Sequence, residues 1–236
     1  MKLQIKIIDR SDTKAMNCFD IMGPVMVGPS SSHTAGAVRI GRVARALAGQ
    51  QPVRAVIRLH GSFAKTYRGH GTDRAILAGL LGFNPDDERI RISPRLCREA
   101  GLDYTLQQVA LPGAHPNTAI IELECSDGRQ TIVQGASTGG GRILIESING
   151  LNVSFRGEYH TLVISHRDAP GVISRVTRQL AERHINIATM KVFRSFRGGT
   201  AVMIIETDEQ IDPAVCDNIK HLTGVSQAIW IEPVMF

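Results

Sequence analysis

The chain has 236 residues, of which 43% are apolar and 21% charged, enough for one large domain or two small ones with ordinary cores. Its net charge of +5 comes mainly from arginines dispersed along the chain, which argues against a nucleic-acid partner and suits a small anionic substrate such as a carboxylate. The N-terminus lacks the apolar core of a signal peptide, and no apolar run reaches the roughly 20 residues of a membrane-spanning helix. We therefore expect a cytoplasmic protein with no membrane partner.

The cysteines lie far apart in the sequence, at Cys18, Cys97, Cys125 and Cys216. None belongs to a CxxC pair of the kind that holds zinc or an iron–sulfur cluster. We expect reduced thiols that mainly fill the core, and we predict no metal site on this chain.

The most distinctive segment is Gly28–Thr34, in which a glycine and a proline precede three serines, a histidine and a threonine. A short apolar stretch, Met16–Ile21, leads to it, and residues 35–48 follow it with the periodicity of a helix. Because a helix N-terminus carries unpaired N–H groups and partial positive charge, it can bind a carboxylate. The hydroxyls that would assist belong to Ser30, Ser31, Ser32 and Thr34. The alternative is N-capping, which accounts for one hydroxyl but not for four.

A row of arginines, Arg39, Arg42 and Arg45, runs along another side of the same predicted helix. Such a row usually forms a solvated face. The alternative is a rim that attracts an anion or an acidic partner.

Residues 53–62 alternate like a half-buried strand, and the basic stretch 65–73 is predicted to be a loop. A helix follows over residues 72–81, with Thr72 as its N-cap and Asp73 at its positive end.

Two histidines share one predicted setting, since His33 and His70 each stand just before a helix start. The positive end of a helix disfavours an imidazolium, so both rings should be neutral near pH 7 and able to accept a proton as a general base does. The alternative for each is an ordinary packed or surface histidine.

The next part of the chain is predicted to form a short strand at residues 89–93 and two hairpins. Residues 94–118 between them show little periodicity. The hairpins are residues 119–125 with 130–134, turning at Asp127-Gly128, and residues 142–148 with 151–155, turning at Asn149-Gly150. The turn His115-Pro-Asn117 either lines a pocket or closes a loop. The run Gly139-Gly-Gly141 either admits a ligand close to the backbone or bends the chain into the next strand.

Beyond a linker at residues 156–158 the pattern becomes βαββαβ, which is the ferredoxin-like arrangement. We therefore predict two domains, residues 1–157 and 158–236. In the second, Asp168 is placed to cap a helix over residues 172–183, and Gly171 permits close backbone approach.

Several separated motifs occur together in a characteristic order: Gly28-Pro-Ser-Ser-Ser-His-Thr34, Gly61-Ser62, Gly69-His-Gly-Thr-Asp73, His115-Pro-Asn-Thr118 and Ser137-Thr-Gly-Gly-Gly141. In these motifs the chain resembles the iron–sulfur L-serine dehydratases, specifically the separate beta chain of the two-subunit form. Residues 163–173, together with Ile185-Asn186-Ile187, resemble an ACT domain, a type that commonly senses amino acids.

The resemblance implies an α+β chain, in which an α/β domain akin to the allosteric-substrate-binding domain of some phosphoglycerate dehydrogenases precedes a ferredoxin-like ACT domain. It implies α,β-elimination of L-serine to pyruvate and ammonia, a step of serine catabolism that feeds gluconeogenesis. The implied partners are a cysteine-bearing alpha subunit, which ligates a 4Fe–4S cluster whose iron binds the substrate hydroxyl, and a second copy of this chain paired through residues 158–236.

The implied site residues fall into three groups. The catalytic group is His33, His70 and Asp73, with His70 as the first choice for the base, the two histidines exchangeable, and Asp73 orienting an imidazole. The substrate-binding group is Ser30, Ser31, Ser32, Thr34, Thr72, His115, Asn117, Gly139 and Gly140. The effector-binding group is Asp168, Gly171 and Asn186.

Two other functions remain open from the sequence. The chain would be a purely regulatory amino-acid-binding subunit if the serine segment held an effector, and L-serine would then bind tightly to the isolated chain. An RNA-binding module would show strongly salt-dependent association, but the sequence offers no aromatic stacking set for it.

Overall fold

The structure is a computed structural model that describes residues 24–235, so Met16–Ile21 and Cys18 lie outside the described residues. A π-helical turn, Ser31–Gly36, leads directly into the first α-helix. The helices are α1 (Ala37–Ala48), α2 (Gly61–His70), α3 (Thr72–Leu80), a 3₁₀ turn (Glu88–Ile92), α4 (Ser93–Glu99), α5 (Val172–Ala181) and α6 (Pro213–Lys220). The strands are β1 (Pro52–His60), β2 (Asp103–Val109), β3 (Thr118–Cys125), β4 (Gln130–Gly139), β5 (Arg142–Ile148), β6 (Leu151–Phe155), β7 (His160–Arg167), β8 (Ile187–Arg194), β9 (Thr200–Thr207) and β10 (Val225–Ile231).

The first domain is built on a six-stranded sheet in the order β2-β1-β3-β4-β5-β6. Strands β1 and β2 pair in parallel through the helical crossover α2–α4, and the other pairs are antiparallel. One face of the sheet packs on α1 and α3 around Ile40, Ile57 and Leu77, all fully buried. Both predicted hairpins are confirmed, and Asn149 adopts the positive φ (50°) that its turn requires.

Two predictions for this domain are wrong. The basic stretch 65–73 is mostly helix α2, which is anchored by the buried Phe63 and Ala64 in its first turn. Residues 89–93 form the 3₁₀ turn and the start of α4 rather than a strand. The weakly periodic stretch 94–118 contains α4 and the parallel edge strand β2.

The predicted alternation of the strand at residues 53–62 fails at its first residue. Val53 is 40% exposed, whereas Ala55, Ile57 and Leu59 are buried as expected. The β1–β3 register shifts between Pro52 and Arg54, and this bulge turns Val53 to the solvent side.

Helices α1 and α3 cross at two glycines. A Cβ atom on Gly79 would lie 2.2 Å from the carbonyl oxygen of Val38, and one on Gly41 would lie 2.5 Å from that of Ile76. The backbones are therefore in direct contact at the crossing, which only glycine permits. This contact sets the position of α1 and of the Gly28–Thr34 segment that precedes it.

The second domain has the predicted βαββαβ order, with a four-stranded sheet in the order β10-β7-β9-β8. Helices α5 and α6 cover one face, and Leu162, Val176 and Met203 lie in the core between them. The alternate residues Val163, Val202 and Ile204 belong to the core of the first domain. The central strands of this sheet are therefore buried on both faces, and the two domains share a hydrophobic contact.

The arginines of α1 do not form a solvated face, contrary to the simpler interpretation. Arg39 is 3% exposed, and its guanidinium donates to the carbonyl oxygens of Gly141 (2.5 Å) and Met235 (2.9 Å). Arg42 and Arg45 are partly buried, and burial lowers the pKa of all three arginines. These side chains connect α1 to the β4–β5 turn and to the second domain.

Over residues 24–235, no helix has both the length and the apolar character needed to cross a bilayer.

Candidate active site

The serine segment begins the π-helical turn, as its capping chemistry predicts. Ser30 is the N-cap, and its hydroxyl accepts from the His33 N–H at 3.3 Å. Ser31 and Ser32 form the first turn and are half-buried, whereas His33 and Thr34 are buried. A Cβ on Gly28 would lie 2.1 Å from Thr34 Oγ1, so the glycine lets the chain fold back over the threonine. Capping therefore accounts for Ser30 alone.

The two motif histidines meet in space. The ring centroids of His33 and His70 lie 4.8 Å apart, with the rings edge to face. Phe63 packs on the His33 ring at 5.2 Å. His33 is 8% exposed, while His70 is exposed to solvent. His33 thus lies behind His70, and His70 presents its ring to the outside.

Two hydroxyls hold the His33 ring. Ser30 Oγ lies 3.4 Å from Nδ1, and Ser62 Oγ lies 3.3 Å from Nε2. Burial lowers the pKa of His33 below its ordinary value, and the neighbouring His70 lowers it further, while a hydrogen bond at Ser62 opposes them. A neutral ring donates from one nitrogen and accepts at the other, so one serine accepts and the other donates. Ser62 belongs to a motif noted in the sequence but was not predicted to be a site residue.

We expect the buried His33 to make the fold less stable in acid. Its folded pKa lies below the ordinary value of about 6.5, so below about pH 6.5 the unfolded chain binds a proton that the folded chain does not. The free energy of unfolding therefore falls as the pH falls from 7 to 5. Urea titrations of the H33Q variant should show a shallower loss over this range, whereas H221Q, at an exposed histidine, should keep the wild-type slope. Equal slopes for H33Q and wild type would contradict the prediction.

A cleft of about 280 Å³ opens beside His70. It is bordered by Gly28, Thr34 and the α2–α3 junction, and by three arginines that were not predicted as site residues, namely Arg68, Arg74 and Arg91. Thr34 Oγ1 is buried and has no hydrogen-bond partner among the described residues. No acidic side chain lines the cleft within residues 24–235, so its charge suits a small anion.

His70 stands two residues before the helix α3 as predicted, but the loop predicted before it is wrong. His70 is the last residue of α2, and Gly71, with φ of 70°, is both the C-cap of α2 and the N-cap of α3. Thr72 does not cap α3; its Oγ1 is buried without a partner in the described part of the chain. Asp73 makes no hydrogen bond to either histidine in the described structure, so it does not orient an imidazole there. The two similar motifs therefore adopt different local structures: His33 lies within the π-helical turn, and His70 ends α2.

The motifs around His115 and Ser137 contact the start of α2 and the π-helical turn, the two elements that carry the histidines. The carbonyl oxygen of Pro116 accepts from Ser62 N (2.7 Å), which fixes the start of α2. Asn117 O accepts from Ser137 N (3.0 Å), and His115 Nδ1 accepts from Asn117 N (3.1 Å). A Cβ on Gly36 would lie 2.1 Å from Ser137 Oγ. These contacts close a loop against the π-helical turn.

His115 and Asn117 are not among the residues lining the arginine-bordered cleft, and neither are Gly139 and Gly140. Gly139-Gly-Gly141 forms the β4–β5 turn, with positive φ at all three residues, so it bends the chain between strands. Gly141 is held by Arg39.

The three predicted effector residues do not converge within one chain. Asp168 does not cap α5, whose N-cap is Gly171; instead it accepts from Gly198 N (3.0 Å) and pairs with Arg194 (3.1 Å). The Gly198 N–H holds the pKa of Asp168 below its ordinary value. Asn186 lies at the opposite end of β8, where it donates to Asp208 and Glu209.

The described residues do not fit an iron–sulfur cluster. Cys97, Cys125 and Cys216 are buried and unbridged, and each thiol points at a different backbone carbonyl, of Leu77, Ala48 and Ala228 respectively. Burial raises the pKa of Cys97 to about 11 and also raises that of Cys216, which disfavours the thiolate that a metal needs. No cluster of three or more metal-ligating side chains occurs within residues 24–235.

The fold and the site define a two-domain α+β protein in which a paired-histidine site precedes a ferredoxin-like domain. Family models match in both parts: "Serine dehydratase beta chain" over residues 17–110 and "ACT domain" over residues 160–220. The chain is 43% identical to the probable L-serine dehydratase beta chain of Bacillus subtilis, over 91% of this chain and 97% of that one. It is 38% identical to the L-serine dehydratase beta chain of Peptoniphilus asaccharolyticus, over 92% of this chain and 98% of that one.

The chain therefore belongs to the L-serine dehydratase beta-chain family and carries an ACT domain. The chain is also 28% identical to the D-3-phosphoglycerate dehydrogenase of Bacillus subtilis. This match covers 78% of this chain and 34% of that protein.

Proposed function

We propose that this chain is the beta subunit of a cytoplasmic L-serine dehydratase, which converts L-serine to pyruvate and ammonia by α,β-elimination. The observation that carries this proposal is the meeting of His33 and His70 beside a cleft bordered by arginines. A reaction that removes the α-proton of an amino acid needs a base next to a carboxylate-binding site, and the cleft offers both. The family relationship supports the choice of L-serine as the substrate.

His70 is the proposed base, because it is the member of the pair that borders the cleft. His33 is its positioning partner. Two imidazolium ions cannot be accommodated at a centroid distance of 4.8 Å without repulsion, and burial already keeps His33 neutral. The hydroxyls of Ser30 and Ser62 hold the His33 ring edge against His70, so the proton taken from the substrate is held on His70.

The carboxylate of L-serine is proposed to bind at Thr34 and the neighbouring arginines. Thr34 Oγ1 is a buried hydroxyl without a described partner, and it borders the cleft at the first turn of the helix. Ser31 and Ser32 lie in the same turn, where N–H groups are unpaired. Arg68, Arg74 and Arg91 supply positive charge on the other side. The ammonium group is left to the open side of the cleft.

The T34V variant should bind L-serine more weakly. Valine keeps the shape of threonine but removes the hydroxyl, so KM should rise about tenfold, the expected loss for one hydrogen bond to a charged group, with a smaller change in kcat. The matched control is T177V in α5, whose hydroxyl bonds only to its own helix backbone. An unchanged KM in T34V would remove Thr34 from the substrate site.

The partner is proposed to be an alpha subunit that carries the cysteine ligands of a 4Fe–4S cluster. The described cysteines cannot hold such a cluster, and the relatives are named as beta chains. The solvent-facing His70 and the open cleft leave room for a second chain to complete the site.

Reconstitution tests the function as a whole. L-serine deamination should require both this chain and the cysteine-bearing alpha chain, measured as pyruvate formed from the separately purified proteins. Full activity of the alpha chain alone would contradict a shared active site. Tight, saturable binding of L-serine to this chain alone, without any effect on turnover, would favour the purely regulatory alternative.

For the ACT domain we propose a homodimer through the edge strand β8, whose Met190 and Val192 are about 40% exposed. Antiparallel pairing of two copies of β8 would bring Asp168 and Gly171 of one copy towards Asn186 of the other, so the predicted effector site would form between chains rather than within one. Equilibrium sedimentation of the full chain would test the dimer.

A further inference from the structure

A second cleft, of about 350 Å³, lies between the two domains and shares no lining residue with the cleft beside His70. The C-terminal end of α1 forms one wall through Arg42, Arg45 and Gln50, and strand β10 with the residues after it forms the other through Trp230 and Glu232. One interpretation of the arginine row on α1 is a rim that attracts an anion. These arginines are not part of the proposed catalytic site.

Three hydrogen-bond donors around this cleft have no acceptor among the described residues. They are Arg42 Nη1, Gln50 Nε2 and Trp230 Nε1, and each of these atoms is buried. Buried donors in native proteins are almost always paired, because leaving one unpaired costs its full desolvation. Three such donors on residues that line one cleft indicate a ligand that supplies the acceptor oxygens.

The cationic group available to that ligand is Arg42. The neighbouring Arg45 is already engaged, since its Nη1 donates to Gln51 and to the carbonyl oxygen of Leu80. Burial lowers the pKa of Arg42, and the charge of Glu232 opposes this effect. Arg42 is therefore a partly desolvated guanidinium with free hydrogen-bonding capacity, which suits a carboxylate.

The rim of the cleft also carries a negative charge. Glu232 is exposed there, and its charge acts on Arg42. A ligand with an anionic and a cationic end matches this arrangement better than a simple anion.

We propose that the interdomain cleft binds a free α-amino acid. The carboxylate lies on the donors of Arg42, Gln50 and Trp230, and the ammonium faces Glu232. This site goes beyond the proposed function and rests on none of its assignments. It is also separate from the effector site proposed for the ACT domain, which involves the opposite edge of the second sheet.

The chain contains a single tryptophan, Trp230, so its fluorescence reports directly on this cleft. L-alanine and L-leucine are suitable probes, because neither carries the hydroxyl that elimination requires. We expect a saturable change in Trp230 emission when either is added to the full chain. Lactate, which has the carboxylate but no ammonium, should bind about tenfold more weakly or worse. No saturable change with either amino acid, or equal affinity for lactate, would overturn the proposal.

Substitutions locate the site. The R42Q and E232Q variants should each raise the Kd for L-alanine about tenfold or more, while circular dichroism shows an unchanged fold. Glu232 is exposed, so E232Q tests the site even if R42Q does not fold. R95Q removes an exposed arginine in α4, and D168N alters the proposed ACT effector site; both should keep the wild-type Kd. Wild-type affinity in E232Q, or lost affinity in D168N, would place the ligand elsewhere and overturn the assignment.

Discussion

The H70Q variant, reconstituted with the alpha subunit, should lose about 10²- to 10⁴-fold in kcat with little change in KM. A positioned general base contributes this much to proton abstraction, and glutamine cannot accept the proton. His70 is exposed at the end of α2, so the variant should fold normally. Initial rates of pyruvate formation at saturating L-serine would measure the effect.

The H33Q variant separates positioning from proton transfer. His33 does not border the cleft, so its loss should lower kcat less than the loss of His70 and should alter the pH profile of kcat. H221Q, in the exposed C-terminal turn of α6, is the control for general effects of replacing a histidine. Near-normal turnover in both H33Q and H70Q would show that the histidine pair is not the catalytic site.

The second large effect is expected on stability. Replacement of Gly79 by alanine should destabilise the protein by about 3 kcal/mol and lower Tm by about 10 °C, as overpacking at a tight contact does. The new methyl group would lie 2.2 Å from Val38 O and 2.8 Å from Arg42 N, both in the backbone of α1, so neither neighbour can rotate away. Thermal unfolding followed by circular dichroism would measure the shift.

Gly69 provides the matched control for this variant. It also lies in a helix, but a Cβ there would meet nothing within 4 Å. The G69A variant should therefore be neutral or stabilised by about 0.5–1 kcal/mol, because alanine reduces the freedom of the unfolded chain. A similar loss of stability in G79A and G69A would show that the backbone contact between α1 and α3 is not the cause.

Prediction from sequence worked well in the second domain and in the hairpins of the first. The dipeptides Asp127-Gly128 and Asn149-Gly150 locate their turns, because few residues adopt positive φ. The helix at residues 172–183 is visible from Val172, Val176 and Leu180, which are all buried. In each case the information lies within one or two turns of the chain.

Prediction failed where packing overrides local pattern. The basic stretch 65–73 resembles a loop by composition, yet it becomes a helix because Phe63 and Ala64 bury one side and Pro116 O accepts from its first N–H groups. Strand β2 was missed because the described strand that it pairs with is β1, which is distant in sequence and bonded in parallel. Neither interpretation of the arginine row, a solvated face or an anion-attracting rim, anticipated the burial of Arg39, because its acceptors, Gly141 and Met235, come from remote segments.

By itself, the amino-acid sequence determined the fold class, the β-hairpins, the ACT-type arrangement and the family to which the motifs around His33 and His70 belong. These depend on side-chain periodicity, on turn residues and on the order of short motifs, all of which are local. Only the tertiary structure decided that the two rings meet, that Ser62 holds one of them and that Arg68, Arg74 and Arg91 border the cleft. It also decided that residues of α1 and β10 line one cavity. Such contacts join residues that are distant along the chain, and the packing of α1, α3 and the two sheets brings them together without leaving a periodic signal in the sequence.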